Sequence, residues 1–141
     1  MPGGYRYLDH MTDAVIEAYG STLEEAFENA ARGLNDTMID LADVTPREKI
    51  AISARGDDLH SLLFDWLDKV MLLLVADGFV MSEFKVSIRK NNGYFLDATV
   101  GGEKLDLKRH RYKVEIKAVT YHEMQISQQD NETTLRFLLD L

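Results

Sequence analysis

The stretch from Asp57 to Gly78, DDLHSLLFDWLDKVMLLLVADG, limits the architecture more than any other part of the chain. Its length and its acidic start predict a helix that closes at Gly78, since anionic side chains favour a helix N-terminus and glycine a C-terminus. Leu59, Leu62, Leu63, Trp66 and Val70 make one apolar stripe, but Phe64, Leu67, Met71, Leu72, Leu74 and Val75 cover much of the remaining circumference. A helix that is apolar nearly all round is stable only when covered on more than one side. The expectation is a helix held between two layers, with a sheet on each face.

The other segments supply those layers. From Ser21 to about Asp40, Leu23, Ala26, Phe27, Ala30, Ala31, Leu34 and Met38 recur at helical spacing and give a single stripe. Ser21 and Glu24 have the spacing of a capping box. REKIAISAR alternates and follows Pro46, as a strand does. FKVSIRK and YFLDATV flank NNG, a hairpin turn in which Asn and Gly tolerate positive φ. YKVEIKAVTY, EMQISQQ and TTLRFLLDL read as three further strands, the last two joined by a polar turn around DNE. Strands, helix, strand, helix and a run of strands predict an α+β fold. We expect one domain over residues 1–141, with two helices packed on or between mostly antiparallel sheets.

Composition narrows the function classes. A hydrophobic fraction of 45% and a charged fraction of 28% suit a folded domain. Without cysteine, disulfides, thiolate metal sites and a thiol nucleophile are excluded. The opening MPGGYRYLDH lacks a signal-peptide pattern, and the apolar run Val70–Ala76 is far short of the roughly 20 residues of a membrane span. A cytoplasmic protein away from membranes is expected. A net charge of −8 opposes stable direct binding to nucleic acid. One exception is LKRHRYK, where Lys108, Arg109, Arg111 and Lys113 surround His110. It reads either as a solvated loop before a strand or as a contact for an acidic partner or a phosphate.

Motifs for catalysis are scarce. GGYR and VGGEK lack the spacing and context of a phosphate loop, and His10, His60, His110 and His122 lack zinc-site spacing. Oxygen donors remain. Asp9 and Asp13 flank a short turn with His10 between them, and the chain closes on RFLLDL, with Asp140 beside the terminal carboxylate of Leu141. Each group alone reads as a solvated turn or a charged end. Brought together they would need a cation to offset their repulsion, and hard cations take such oxygens.

The chain resembles the archease family over essentially its whole length. The resemblance is carried by LDHMTDAVIEAYG, TLEEAFENAARGL, LLFDWLDKVMLLL, VEIKAVTYHEMQI and the terminal FLLDL, in that order. Met11 and Thr12 depart from the family's opening motif, where Thr and Ala are more common, and neither departure removes a carboxylate. The resemblance implies an accessory activator of the GTP-dependent RNA ligase that joins tRNA halves, promoting ligase guanylylation and repeated turnover without catalysing ligation itself. It also implies a divalent cation, Ca²⁺ first and Mg²⁺ or Mn²⁺ as alternatives, held by Asp13, Asp140 and the Leu141 carboxylate. Lys117 matches a family position tied to activity. His10 is a further candidate for contact with the partner or nucleotide, and Tyr121, like His10, for supporting the metal ligands.

Two other readings use the same residues. A metal-dependent phosphoester hydrolase would need a general base, for which His10 is the sole nominee. A general chaperone or modulator of RNA-processing enzymes would act without selectivity for the ligase.

Overall fold

The computed structural model describes residues 3–8 and 13–141, so His10 and Asp9 lie outside the described residues. The strands are β1 (Gly4–Leu8), β2 (Asp13–Gly20), β3 (Glu48–Gly56), β4 (Phe79–Lys90), β5 (Tyr94–Lys104), β6 (Ala118–Gln129) and β7 (Glu132–Asp140). Helix α1 (Leu23–Met38) separates β2 from β3, and α2 (Leu59–Val75) separates β3 from β4. The strands form a four-stranded sheet, β1-β2-β7-β6, and a three-stranded sheet, β3-β5-β4, with every pairing antiparallel.

Helix α2 meets the expectation set by its apolar surface. It packs against β3, β4 and β5 of one sheet, β6 of the other, and α1. Leu62, Leu63, Trp66, Leu67, Val70, Met71 and Leu74 are buried, and Leu72 alone among its leucines is strongly exposed. The single stripe of α1 faces β2 and β4. Trp66 ties the helices together by donating its indole N–H to the Phe27 carbonyl at 3.0 Å. Both sheets and both helices share one hydrophobic core.

The caps are local chemistry with one shift of register. Asp58 and Ser61 make a reciprocal box at the start of α2, with bonds of 2.8 and 3.1 Å. At α1 the cap is Thr22, whose Oγ1 accepts the Glu25 amide at 3.0 Å, while Glu25 Oε1 accepts the Ser21 amide at 2.7 Å. The Ser21–Glu24 box is therefore displaced by one residue, because Glu25 rather than Glu24 reaches back over the turn. The NNG hairpin forms as expected, with Asn92 at φ 53° and Gly93 at φ 127°.

Side chains of the two helices seal both edges of the three-stranded sheet. On β4, Asn35 Oδ1 accepts the Met81 amide at 3.0 Å and Glu28 Oε2 accepts the Val86 amide at 2.9 Å. On β3, Asp65 accepts the Arg55 amide at 2.9 Å and Lys69 donates to the Ser53 carbonyl at 2.8 Å. Edge strands with satisfied backbone groups resist further pairing. One face of this sheet buries Ile52, Ala54, Phe84, Val86, Leu96 and Val100; the alternate residues form an exposed face. No helix among the described residues is long and apolar enough to cross a membrane.

Candidate functional site

The register of the four-stranded sheet brings three of the sequence candidates to one end. Asp13, the first residue of β2, stands directly opposite Asp140, the last residue of β7. On the other side of β7, Asp140 is opposite Ala118, the first residue of β6. Lys117, just before Ala118, donates its backbone N–H to the Asp140 carbonyl at 2.8 Å. Leu141 follows and packs its side chain against the core.

Directly opposed residues of an antiparallel pair point to the same face, with Cβ atoms about 4.5–5.5 Å apart. The inward face of the sheet is set by Ile16, Ala18, Leu135, Phe137 and Leu139, all fully buried. Asp13 and Asp140 alternate with these residues and so share the outward face, where Asp140 is exposed. Two carboxylates facing each other in this way repel, and a hard cation relieves that repulsion. The donors are oxygens, which suits Ca²⁺, Mg²⁺ or Mn²⁺ rather than a soft metal. Among the described residues, no group of three or more His, Cys, Asp or Glu side chains is placed to hold an ion. Among the described residues, side chains supply a facing pair of carboxylates here, beside which the Leu141 carboxylate is a further oxygen donor.

Lys117 is exposed and lies outside any strand, whereas YKVEIKAVTY reads as one continuous strand in the sequence. The cause lies in how its backbone is used. Arg111 O accepts the Asp40 amide at 3.0 Å and the Lys113 amide bonds Met38 O at 2.7 Å, so this segment is tied to the end of α1 rather than to a ladder. From Ala118 the chain joins β7 and runs as a single strand through EMQISQQ, with an irregularity between Thr120 and Gln125 where Glu123 has φ 59°. Tyr121 stacks on Phe64 of α2, with ring centroids 4.3 Å apart and planes 7° from parallel. That contact places it in a cleft beside β3 together with Ser53, Arg55, Lys69 and Arg89.

Within the basic run LKRHRYK, Arg109 and His110 are committed to a buried carboxylate, while its lysines and arginines stay exposed. Glu103, almost completely buried, accepts from Arg109 at 2.8 and 3.1 Å, the Thr45 amide at 2.8 Å and His110 Nε2 at 2.9 Å, and pairs with Arg47 at 3.0 Å. His110 Nδ1 accepts the Asp106 amide at 2.8 Å, so the ring proton sits on Nε2. Hydrogen bonds from Arg109 hold the Glu103 carboxyl well below the usual carboxylate range. Lys113 pairs with Asp36 at 3.3 Å. The run is thus a strut around a buried carboxylate, a role its sequence did not signal because Glu103, Thr45 and Arg47 come from two other segments. A second unforeseen arrangement lies on the outer face of the larger sheet, where Glu17 is held between Arg6 at 2.6 Å and Arg136 at 3.2 Å.

Comparison with known proteins agrees with this architecture. A profile of the archease protein family matches residues 5–141. The chain is 40% identical over 139 residues to protein archease of Thermococcus gammatolerans, covering 97% of this chain and 98% of that one. It is 37% identical over 142 residues to protein archease of Pyrobaculum calidifontis, covering 99% and 97%. The solution structure of Methanobacterium thermoautotrophicum protein 1598 superimposes with a TM-score of 0.86 at 37% identity, covering 98% of this chain and 99% of that one.

Proposed function

The chain belongs to the archease family, and from that premise we propose that it is a non-catalytic activator of the GTP-dependent tRNA-splicing RNA ligase, working in the cytoplasm to promote ligase guanylylation and multiple turnover. The observation that carries this reading is the facing of Asp13 and Asp140 across β2 and β7, with Lys117 tethered to the same residue.

In this reading Asp13, Asp140 and the Leu141 carboxylate hold a divalent cation at an exposed sheet end. Ca²⁺ is the ion we assign, because it accepts carboxylates mono- or bidentately in flexible geometry, whereas Mg²⁺ demands near-ideal octahedral geometry. When bound, the cation supplies positive charge beside a nucleotide phosphate. The chain's own residues do the positioning. The β2–β7 ladder fixes the spacing of the two carboxylates. The Lys117 amide restrains the Asp140 backbone and leaves the ammonium of Lys117 in solvent, where it can meet a phosphate or an acidic group of the ligase as a compact charge.

The direct test is multiple-turnover joining of tRNA halves by purified ligase, with GTP and divalent cation, with and without this protein. Product in excess of ligase only when the protein is present supports activation. Equal product with and without it overturns the reading.

A further inference from the structure

The exposed face of the three-stranded sheet is built in transverse rows. Arg55, Phe95 and Arg89 stand side by side across β3, β5 and β4; Ser53, Asp97 and Ser87 form the next row. Ala51, Thr99 and Lys85 follow, then Lys49, Gly101 and Glu83. Four cations face two carboxylates here, on a chain whose net charge is −8. Arg89 pairs with Asp97 and lies over the Phe95 ring at 5.3 Å, whereas Lys49, Arg55 and Lys85 form no ion pair among the described residues. On a strand, Lys49 and Arg55 are about 20 Å apart and Lys85 and Arg89 about 13 Å apart, so the charge is spread along the face.

Both ends of the face are concave. At one end, a hollow of about 520 Å³ includes Lys49, Lys85, Thr99 and Arg32. At the other, a cleft of about 620 Å³ turns round the β3 edge from Arg89 and Arg55 to the Phe64–Tyr121 stack. Tyr121 is 53% exposed, so one side of its ring is covered by Phe64 while much of the residue remains open to solvent.

From these features we infer that this face and its cleft receive single-stranded RNA, with phosphates along Lys49, Lys85 and Arg55 and a base against Tyr121. Spread cations beside an open aromatic ring are what single strands use: a charged track for the backbone and a stacking platform for bases. The Ser87 and Thr99 hydroxyls between the cations suit phosphate and sugar contacts, while Ser53 donates its hydroxyl to Asp97 at 3.0 Å. An acidic protein surface fits less well, because interface cores are depleted in Lys, Ser and Asp and anchored by buried apolar groups, and the face carries no exposed aliphatic larger than Ala51. The protein's overall negative charge keeps this contact weak and salt-sensitive outside a complex. A ligase that already holds the RNA raises its effective concentration at the face. The choice of RNA rests on the ligase reading; the face itself does not.

The test is fluorescence anisotropy of a fluorescein-labelled oligouridylate titrated with the full chain over a range of salt, beside RNA-free guanylylation of the ligase by the same preparations. The intact protein is expected to bind at low salt, with log K falling against log salt by about 0.7 per phosphate engaged, or roughly 2 for three contacts. Lys49→Gln/Arg55→Gln/Lys85→Gln should weaken low-salt binding at least tenfold and flatten that slope, with guanylylation unchanged. Tyr121→Ala should weaken binding about fivefold or more at an unchanged slope. No binding by the intact chain at low salt, equal binding by the triple variant, or loss of RNA-free guanylylation in the triple variant each overturns the proposal. The last outcome would make the face a protein dock. Failure of the intact protein to stimulate guanylylation would refute the ligase reading and leave the RNA titration to stand or fall alone.

Discussion

Asp13 and Asp140 are direct cross-strand partners, joined by the β2–β7 ladder though they lie near opposite ends of the sequence. Like charges directly opposite on a sheet face are destabilising, and a cation shared between them offsets that repulsion. The relationship makes cation binding and stability one measurement. Ca²⁺ at a hundredfold excess over its Kd should stabilise the intact protein by about 2.7 kcal/mol, read as a rise in Tm. Asp13→Asn/Asp140→Asn should show no such rise. A full Ca²⁺ response in the double variant would move the ion elsewhere.

Glu103 contributes to the acid limit of stability. Its folded carboxyl is held well below the ordinary 4.5 by Arg109, the Thr45 amide and His110. A depressed folded value means the contribution is present above the unfolded value and is lost as pH falls below about 4.5 toward the folded one. Glu103→Gln should cost about 2–3 kcal/mol at neutral pH and flatten the decline below pH about 4.5. Urea unfolding at several pH values, followed by the emission of Trp66, the only tryptophan, reads both effects.

Asn35 is fully buried, with its Nδ2 donating to Ala31 O at 3.0 Å and its Oδ1 accepting the Met81 amide beside the irregularity in β4. Asn35→Leu keeps the branching of the side chain and removes both bonds. Leaving the Met81 amide unsatisfied should cost about 1–3 kcal/mol in urea unfolding. A neutral outcome would mean that β4 is not held to α1 by this bond.

Lys117 separates tether from charge. Lys117→Ala retains the backbone bond to Asp140, so stability should change by no more than about 0.5 kcal/mol. Guanylylation should nonetheless fall about tenfold if the ammonium meets phosphate or ligase. An unaffected rate would confine this residue to its backbone role.

Much of this architecture could be read from local pattern. The apolar circumference of α2 required two covering layers and has them, and the Asn-Gly turn marked the β4–β5 hairpin. Reading failed where partners are distant in sequence. Arg109 and His110 looked like an unengaged basic run because Glu103, which binds them both, carries no spacing signal. Residues 113–117 have strand composition, yet the Lys113 amide is claimed by Met38 at the end of α1 and the Lys117 amide by Asp140. The alternation of FKVSIRK showed that β4 has one exposed face, but only the register across three strands aligns its charges with those of β3. Asp13 and Asp140 were joined in the sequence by family resemblance alone; the ladder supplies the physical connection.

The most direct test of the central claim is single-turnover guanylylation of the purified ligase in the presence of intact protein, Asp13→Asn or Asp140→Asn, each first shown to be folded by the buried emission of Trp66. The account predicts acceleration by the intact protein and at least a tenfold loss in either variant. Acceleration by folded variants equal to that of the intact protein would contradict it.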